Sequence, residues 1–206
     1  MSADASTGSR DRQPDRTGEM RDLSDEGLMA CIADGDRGAY QQLVERHLDR
    51  ALRLAQRIVG NRSDAEEIAQ EAFLRVWTTA PRWRLDGALF RTWFSRVLVN
   101  LCIDRKRRPG FAPLEAAGDP PDPAVGAEQR VYQSQEAAAV AAAVAELPER
   151  QRAALALCYW QEMSNAEAAE VLSLSVGAVE SLLVRARRSL RISLKARLGH
   201  AMEERG

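Results

Sequence analysis

Cysteine is scarce in this chain, and the three present, Cys31, Cys102 and Cys158, are odd in number, far apart and free of any CxxC pair. A disulfide framework is therefore excluded, and reduced thiols are expected. Histidine is scarcer still, with only His47 and His200, so no Cys/His set has metal-ligand spacing. No nucleophile-base constellation and no phosphate-cradling glycine loop is found, so no catalytic residue, metal or cofactor is expected. No apolar run nears the ~20 residues that a bilayer span requires. The charged amino terminus carries no apolar signal segment, so a cytoplasmic protein without membrane insertion is expected. Strand alternation is missing as well, which leaves an all-α chain.

Charge of one sign is lacking too, since the formal net charge is -1. Spread evenly, that balance would speak against a polyanionic partner. It is not even: residues 134–180 carry seven acids and two bases, whereas residues 181–198 carry six bases and no acid. A local field steers a polyanion, whatever the total.

That basic stretch ends a helix-turn-helix pattern running from Met163 to Arg188. Ser164 followed three residues later by Glu167 reads as a capping box opening a short helix, with Ala168 and Ala169 small enough for a second helix to approach. Ser173-Leu174-Ser175 breaks it, and Ser175 caps a second helix in which Val179, Leu182, Leu183, Ala186 and Leu190 share the buried face. The opposite face carries Glu180, Ser181, Val184, Arg185 and Arg188, a stripe suited to phosphate contact. A solvated basic flank on an ordinary helix pair is the plainer reading of this motif alone.

The chain before it divides in order. Residues 1–22 mix Ser, Asp, Arg, Gly and Pro without periodicity and read as a disordered tail. Two helices follow, with Leu28, Ile32, Leu43, Leu52, Leu54 and Ile58 among their apolar positions, broken at Gly35 and at Gly60-Asn61. Ser63 to Glu66 reads as a second capping box, and Ile68, Ala72, Phe73, Val76 and Trp77 form the buried stripe of the helix it opens. Asp64, Glu67, Gln70, Glu71 and Arg75 are left on the outer face, where solvated charge is the plain reading.

Pro81 ends that helix. Arg82-Trp83-Arg84 and then Phe90 to Arg96 interleave aromatic and basic residues, and Arg105-Lys106-Arg107-Arg108 closes the following helix. Aromatic faces and cations on one surface suit unpaired bases, although Phe90, Trp93, Val97 and Leu101 also form a stripe that packing alone would explain. Asn100 offers an amide to a base edge. Residues 109–132, rich in Pro, Gly, Ala and acid, read as a flexible linker between two small helical domains, 23–108 and 133–198, with a short tail at 199–206.

DAEEIAQEAFLRVW at 64–77, FRTWFSRVLVNLCIDRKRR at 90–108, LPERQRAALALCYW at 147–160 and SNAEAAEVLSLSVGAVESLLVRARRSL at 164–190 together resemble the sigma-70 family of bacterial transcription initiation factors, in its extracytoplasmic-function (ECF) group. The resemblance covers about residues 24–198 and implies core RNA polymerase, promoter DNA and an anti-sigma factor as partners. It implies that Asp64, Glu67, Gln70, Glu71, Phe73, Leu74 and Trp77 bind the polymerase core. Arg82, Trp83, Arg91, Trp93, Arg96, Asn100, Arg105, Lys106, Arg107 and Arg108 would melt and read the minus-ten element. Ser175, Gly177, Ala178, Glu180, Ser181, Arg185, Arg187 and Arg188 would read the minus-thirty-five element. Many relatives carry a base at Glu180 and at Leu182, a hydroxyl at Ala178, and glycine at Glu162 and Ser173, so promoter sequence does not transfer. A stand-alone helix-turn-helix regulator binding duplex DNA without polymerase is the alternative, and the aromatic-basic stretch at 82–108 argues against it.

Overall fold

The computed structural model describes residues 22–83, 89–107 and 137–203. The expected tail through residue 21, the linker and Arg108 lie outside them. Among the described residues every regular element is helical.

Ser24 caps α1 (Asp25–Ala33) by accepting from the Gly27 amide at 3.1 Å, and Asp25 and Glu26 sit in the first turn, where the helix dipole favours acids. Asp36 caps α2 (Arg37–Val59), which buries Ala39, Leu43, Ala51, Leu54, Ala55, Ile58 and Val59 and stops at Gly60. Gly60 holds φ 90°, a left-handed geometry that ends helices and favours glycine.

The start of α3 (Arg62–Thr79) corrects the expected box at Ser63. Asn61 is the cap: its side-chain oxygen accepts from the Asp64 amide at 2.7 Å, and its NH2 group donates back to the Asp64 carboxylate. Asn61 thus pairs with both the backbone and the side chain of Asp64, two residues before the expected box, and the helix begins there. A 3-10 turn, Ala80–Arg82, carries Pro81 and separates α3 from α4 (Phe90–Arg107). The first turn of α4 is capped from a distance, because the Phe90 amide donates to the Glu26 carboxylate at 3.0 Å.

Phe90 and Phe94 stack at 5.3 Å between centroids, Phe73 lies 4.9 Å from Phe94, and His47 lies 5.1 Å from Phe90. This cluster sets the rotation of α4. Its buried residues include Phe90, Phe94, Leu98, Val99 and Cys102, whereas Trp93, Val97 and Leu101 of the expected stripe are only partly covered.

The second half comprises helical residues 137–145 (α5), α6 (Glu149–Leu155), a wide π-helical turn (Ala156–Trp160), α7 (Asn165–Leu172) and α8 (Val176–Glu203). The Ser164–Glu167 box is present in both directions, and the Ser164 amide and hydroxyl pull the Glu167 carboxyl below its usual range. α8 continues past the boundary expected at Leu198.

The two halves do not sit apart. One contiguous buried cluster runs from Leu28, Leu54 and Phe94 to Leu157, Ala168, Val179 and Leu183, and α7 lies against α4. A smaller cluster joins Val144, Leu147, Leu155 and Ala186.

Candidate nucleic-acid interface

α8 turns Val179, Leu183 and Ala186 inward against α6 and α7. Its start is capped by the Ser175 hydroxyl, which accepts from the Ala178 amide at 3.2 Å. Gly177, Glu180, Ser181, Arg185, Arg187 and Arg188 are therefore all exposed, with Ala178 half-buried among them. The Ser181 hydroxyl donates to the Gly177 carbonyl at 2.9 Å, and Glu180 accepts from the Asn165 amide group of α7 at 3.5 Å. Glu180 is thus tied to the first residue of α7, across the turn between the two helices.

The basic residues around α4 do not form the single surface that the sequence suggested. Asn100 and Arg107 are exposed on the helix, and Arg82 is exposed in the preceding turn. Trp83 and Trp93 meet edge to face at 4.9 Å, both half-buried. The Arg91 guanidinium donates to the Gln161 carbonyl, and that of Arg96 donates to the Glu170 carbonyl at 2.6 Å, so both are engaged by the second half of the chain. Arg105 is turned the other way and bridges Asp64 and Glu67 of α3, the latter at 2.8 Å. Those two carboxylates hold the Arg105 guanidinium protonated above even its usual range. Lys106 is half-buried, and burial first, then the nearby Arg152 cation, push its pKa down to about 8.

On α3, Gln70, Glu71 and Leu74 are exposed, Leu74 by 53%. They line a shallow groove of about 480 Å³ whose other wall is Leu101, Asp104 and Arg105 of α4. Two expectations for this face are corrected. Phe73 is buried at 4% exposure against Phe94, because the helix needs its ring in the core, so it has no free surface for a partner. Asp64 and Glu67, whose plain reading was solvated charge, are instead paired with Arg105. Trp77 is half-buried and edge-on to Tyr40 at 5.2 Å.

Residues that sequence reasoning passed over join the halves. Arg152 is 3% exposed and donates to the carbonyls of Ile58, Ala145 and Leu147 at 2.6–2.8 Å. Arg50 grips both the side chain and the carbonyl of Gln161. A charged residue inside a helical pattern is ordinarily solvated, and periodicity has no term for a cation that satisfies a distant helix end.

Residues 43–110 match sigma-70 region 2, and residues 137–190 match sigma-70 region 4. The ECF RNA polymerase sigma factor SigE of Mycolicibacterium smegmatis is 36% identical over 176 residues, 80% of this chain and 66% of that protein. SigM of Mycobacterium tuberculosis, another ECF sigma factor, is 35% identical over 173 residues, 84% of this chain and 86% of its own length. The solved structure of CnrH in complex with the cytosolic domain of CnrY superimposes with a TM-score of 0.60 at 31% identity, covering 84% of this chain and 97% of that one.

Proposed function

This chain belongs to the ECF group of the sigma-70 family, and from that premise we propose that it directs core RNA polymerase to particular promoters and helps to open them, itself performing no covalent chemistry. The observation that carries the reading is the order of the two matched regions, each presenting an exposed charged helix face of the kind its task requires. The unit 23–108 takes the polymerase core and the minus-ten element, and the unit 133–198 takes the minus-thirty-five element. The groove beside Leu74, with Gln70 and Glu71 on its rim, is the docking surface for the core. Asn100 pairs with an unstacked base, and Trp83, Trp93 and the arginines of α4 hold the strand. On α8, Gly177, Ala178, Glu180 and Ser181 approach base edges while Arg185, Arg187 and Arg188 grip phosphates, as a recognition helix enters the groove with its amino-terminal end. An anti-sigma factor is the expected regulator, and the helix faces that bind DNA and polymerase are the surfaces it would cover. The work is done in the cytoplasm, where polymerase and promoter are.

Transcription with purified core polymerase tests the reading: specific transcripts appear only when both proteins are present. Among the acids, Glu71→Lys is the clean probe, since among the described residues Glu71 pairs with Arg75 of its own helix at 3.1 Å, whereas reversing Asp64 or Glu67 also strands Arg105. Glu71→Lys weakens core binding in a pull-down with unchanged helicity; undiminished binding would remove this face from the proposal.

A further inference from the structure

Among the described residues most polar links between the two halves run through a guanidinium, and several of them converge on one residue. Gln161 follows the π-helical turn and is 3% exposed. Arg50 of α2 donates from Nε to its side-chain oxygen and from Nη2 to its carbonyl at 2.8 Å, and the Gln161 amide group donates back to the Arg50 carbonyl at 3.3 Å. Arg91 donates to the same Gln161 carbonyl. Further along α4, Arg96 reaches the Glu170 carbonyl in the last turn of α7, which also accepts from the Ser173 amide at 3.3 Å. Nearby, the Arg57 guanidinium lies 4.2 Å from the centre of the Trp160 ring.

We propose that Gln161 is a latch that holds the free chain in a closed form, in which Arg91 and Arg96 are engaged by the chain's own carboxy-terminal half and withheld from DNA. The DNA part of this rests on the assignment of those two arginines to the minus-ten strand. The contact is suited to exchange. The Nε atoms of Arg91 and Arg96 are buried without a hydrogen-bond partner in the closed form, and a buried unmet donor is costly. Phosphate oxygens accept from a guanidinium as a fork, which backbone carbonyls offer poorly. The closed form thus competes with single-stranded DNA for the same donors, and an open chain exposes both arginines at once.

The full-length chain tests this with fluorescent amino acids at the exposed Ser63 of α3 and Ala166 of α7, and with a short mixed-sequence single-stranded DNA as ligand. Wild type should show high energy transfer that falls in Gln161→Ala and in Arg50→Ala. The second variant truncates a half-buried surface residue and guards against a folding defect in the first. Both variants should bind the strand at least tenfold more tightly at low salt, because apparent affinity scales with the open fraction. The slope of log affinity against log salt should stay the same, because the complex formed is the same and only the open fraction differs. Equal, low transfer in wild type and variants would overturn the latch. So would variants that open yet bind the strand no better. A wild type that fails to support transcription with core polymerase would instead sink the functional reading, and it would do so whatever the energy transfer shows.

Discussion

Ser173 and Glu162 both hold φ 53°, a left-handed geometry that crowds the Cβ of any residue but glycine. Each ends a helical segment and starts the turn into the next, which is where a chain must reverse its twist. At Ser173 the reversal is held by backbone alone: its amide donates to Glu170 at 3.3 Å and the Leu174 amide to Ala169 at 3.0 Å. Its own side chain is exposed. Ser173→Gly therefore keeps the turn and removes the crowding. Relief of ~1–2 kcal/mol set against an added chain entropy of about 0.5–1 kcal/mol leaves a net gain of roughly 0.5–1 kcal/mol. Thermal unfolding should show a higher midpoint for Ser173→Gly, and Gly60→Ala, which forces a Cβ into φ 90°, should show a lower one. A lower midpoint for Ser173→Gly would mean the serine stabilises the turn by some other contact. The family resemblance marked Ser173 and Glu162 as departures, but only backbone geometry says what a departure costs.

At the scale of elements, the carboxy-terminal end of α4 is where charge and burial conflict. Arg105, Lys106 and Arg107 sit in its last turn, where the helix dipole favours cations. Arg105 resolves the conflict by crossing to Asp64 and Glu67 on α3. Lys106 is half-buried, with Arg152 of α6 near and Glu149 only partly offsetting that repulsion. Its pKa of about 8 lies below the ordinary lysine value of 10.5, so between those two pH values the unfolded chain binds more protons than the folded one. Stability must then rise with pH through that window, from a penalty fully present below about pH 8. Urea unfolding at pH 7 and pH 9.5 should show this rise in wild type, and Lys106→Met should flatten it and be the more stable protein at pH 7. A variant that keeps the wild-type rise would assign it to another group. Much of this element was legible from sequence: that it is a helix and that it ends in cations both followed from period and composition. Which way each cation turns did not. Arg105 meets α3 some forty residues earlier, and Arg91 and Arg96 meet a half of the chain that lies beyond the Pro- and Gly-rich residues 109–132. Pairing across such distances leaves no mark on helical period, just as nothing in the period distinguishes Asn61 from Ser63 as the cap of α3.

At the scale of the whole molecule, two units read from sequence as separate share one core, and the consequence is thermodynamic. The buried cluster that holds Leu54 and Phe94 also holds Leu157 and Val179, so separating the halves exposes apolar surface on both. Arg152 sits at the junction. It ties α6 to the preceding turn through Ala145 and Leu147, and to the end of α2 through Ile58 at 2.8 Å. Burial disfavours its charge, which persists because three carbonyls accept from it. A charge-assisted hydrogen bond is worth ~1.5–3 kcal/mol net, and a stranded buried acceptor costs ~1–3 kcal/mol. Loss of the Arg152 guanidinium should therefore both weaken the second half and unlink it from the first. Calorimetry of the full chain should give one endotherm, with matching calorimetric and van't Hoff enthalpies, because neither half unfolds without baring the other's core. Arg152→Met, which keeps the apolar stem, should split it in two, with the component belonging to the second half melting first. Arg50→Ala leaves the carbonyls of Ile58, Ala145 and Leu147 satisfied and acts on the seam alone, so it should separate the components without lowering the second as far. Two resolved endotherms in the wild type would mean that the halves are independent in the free chain and that the shared core contributes little to holding them together.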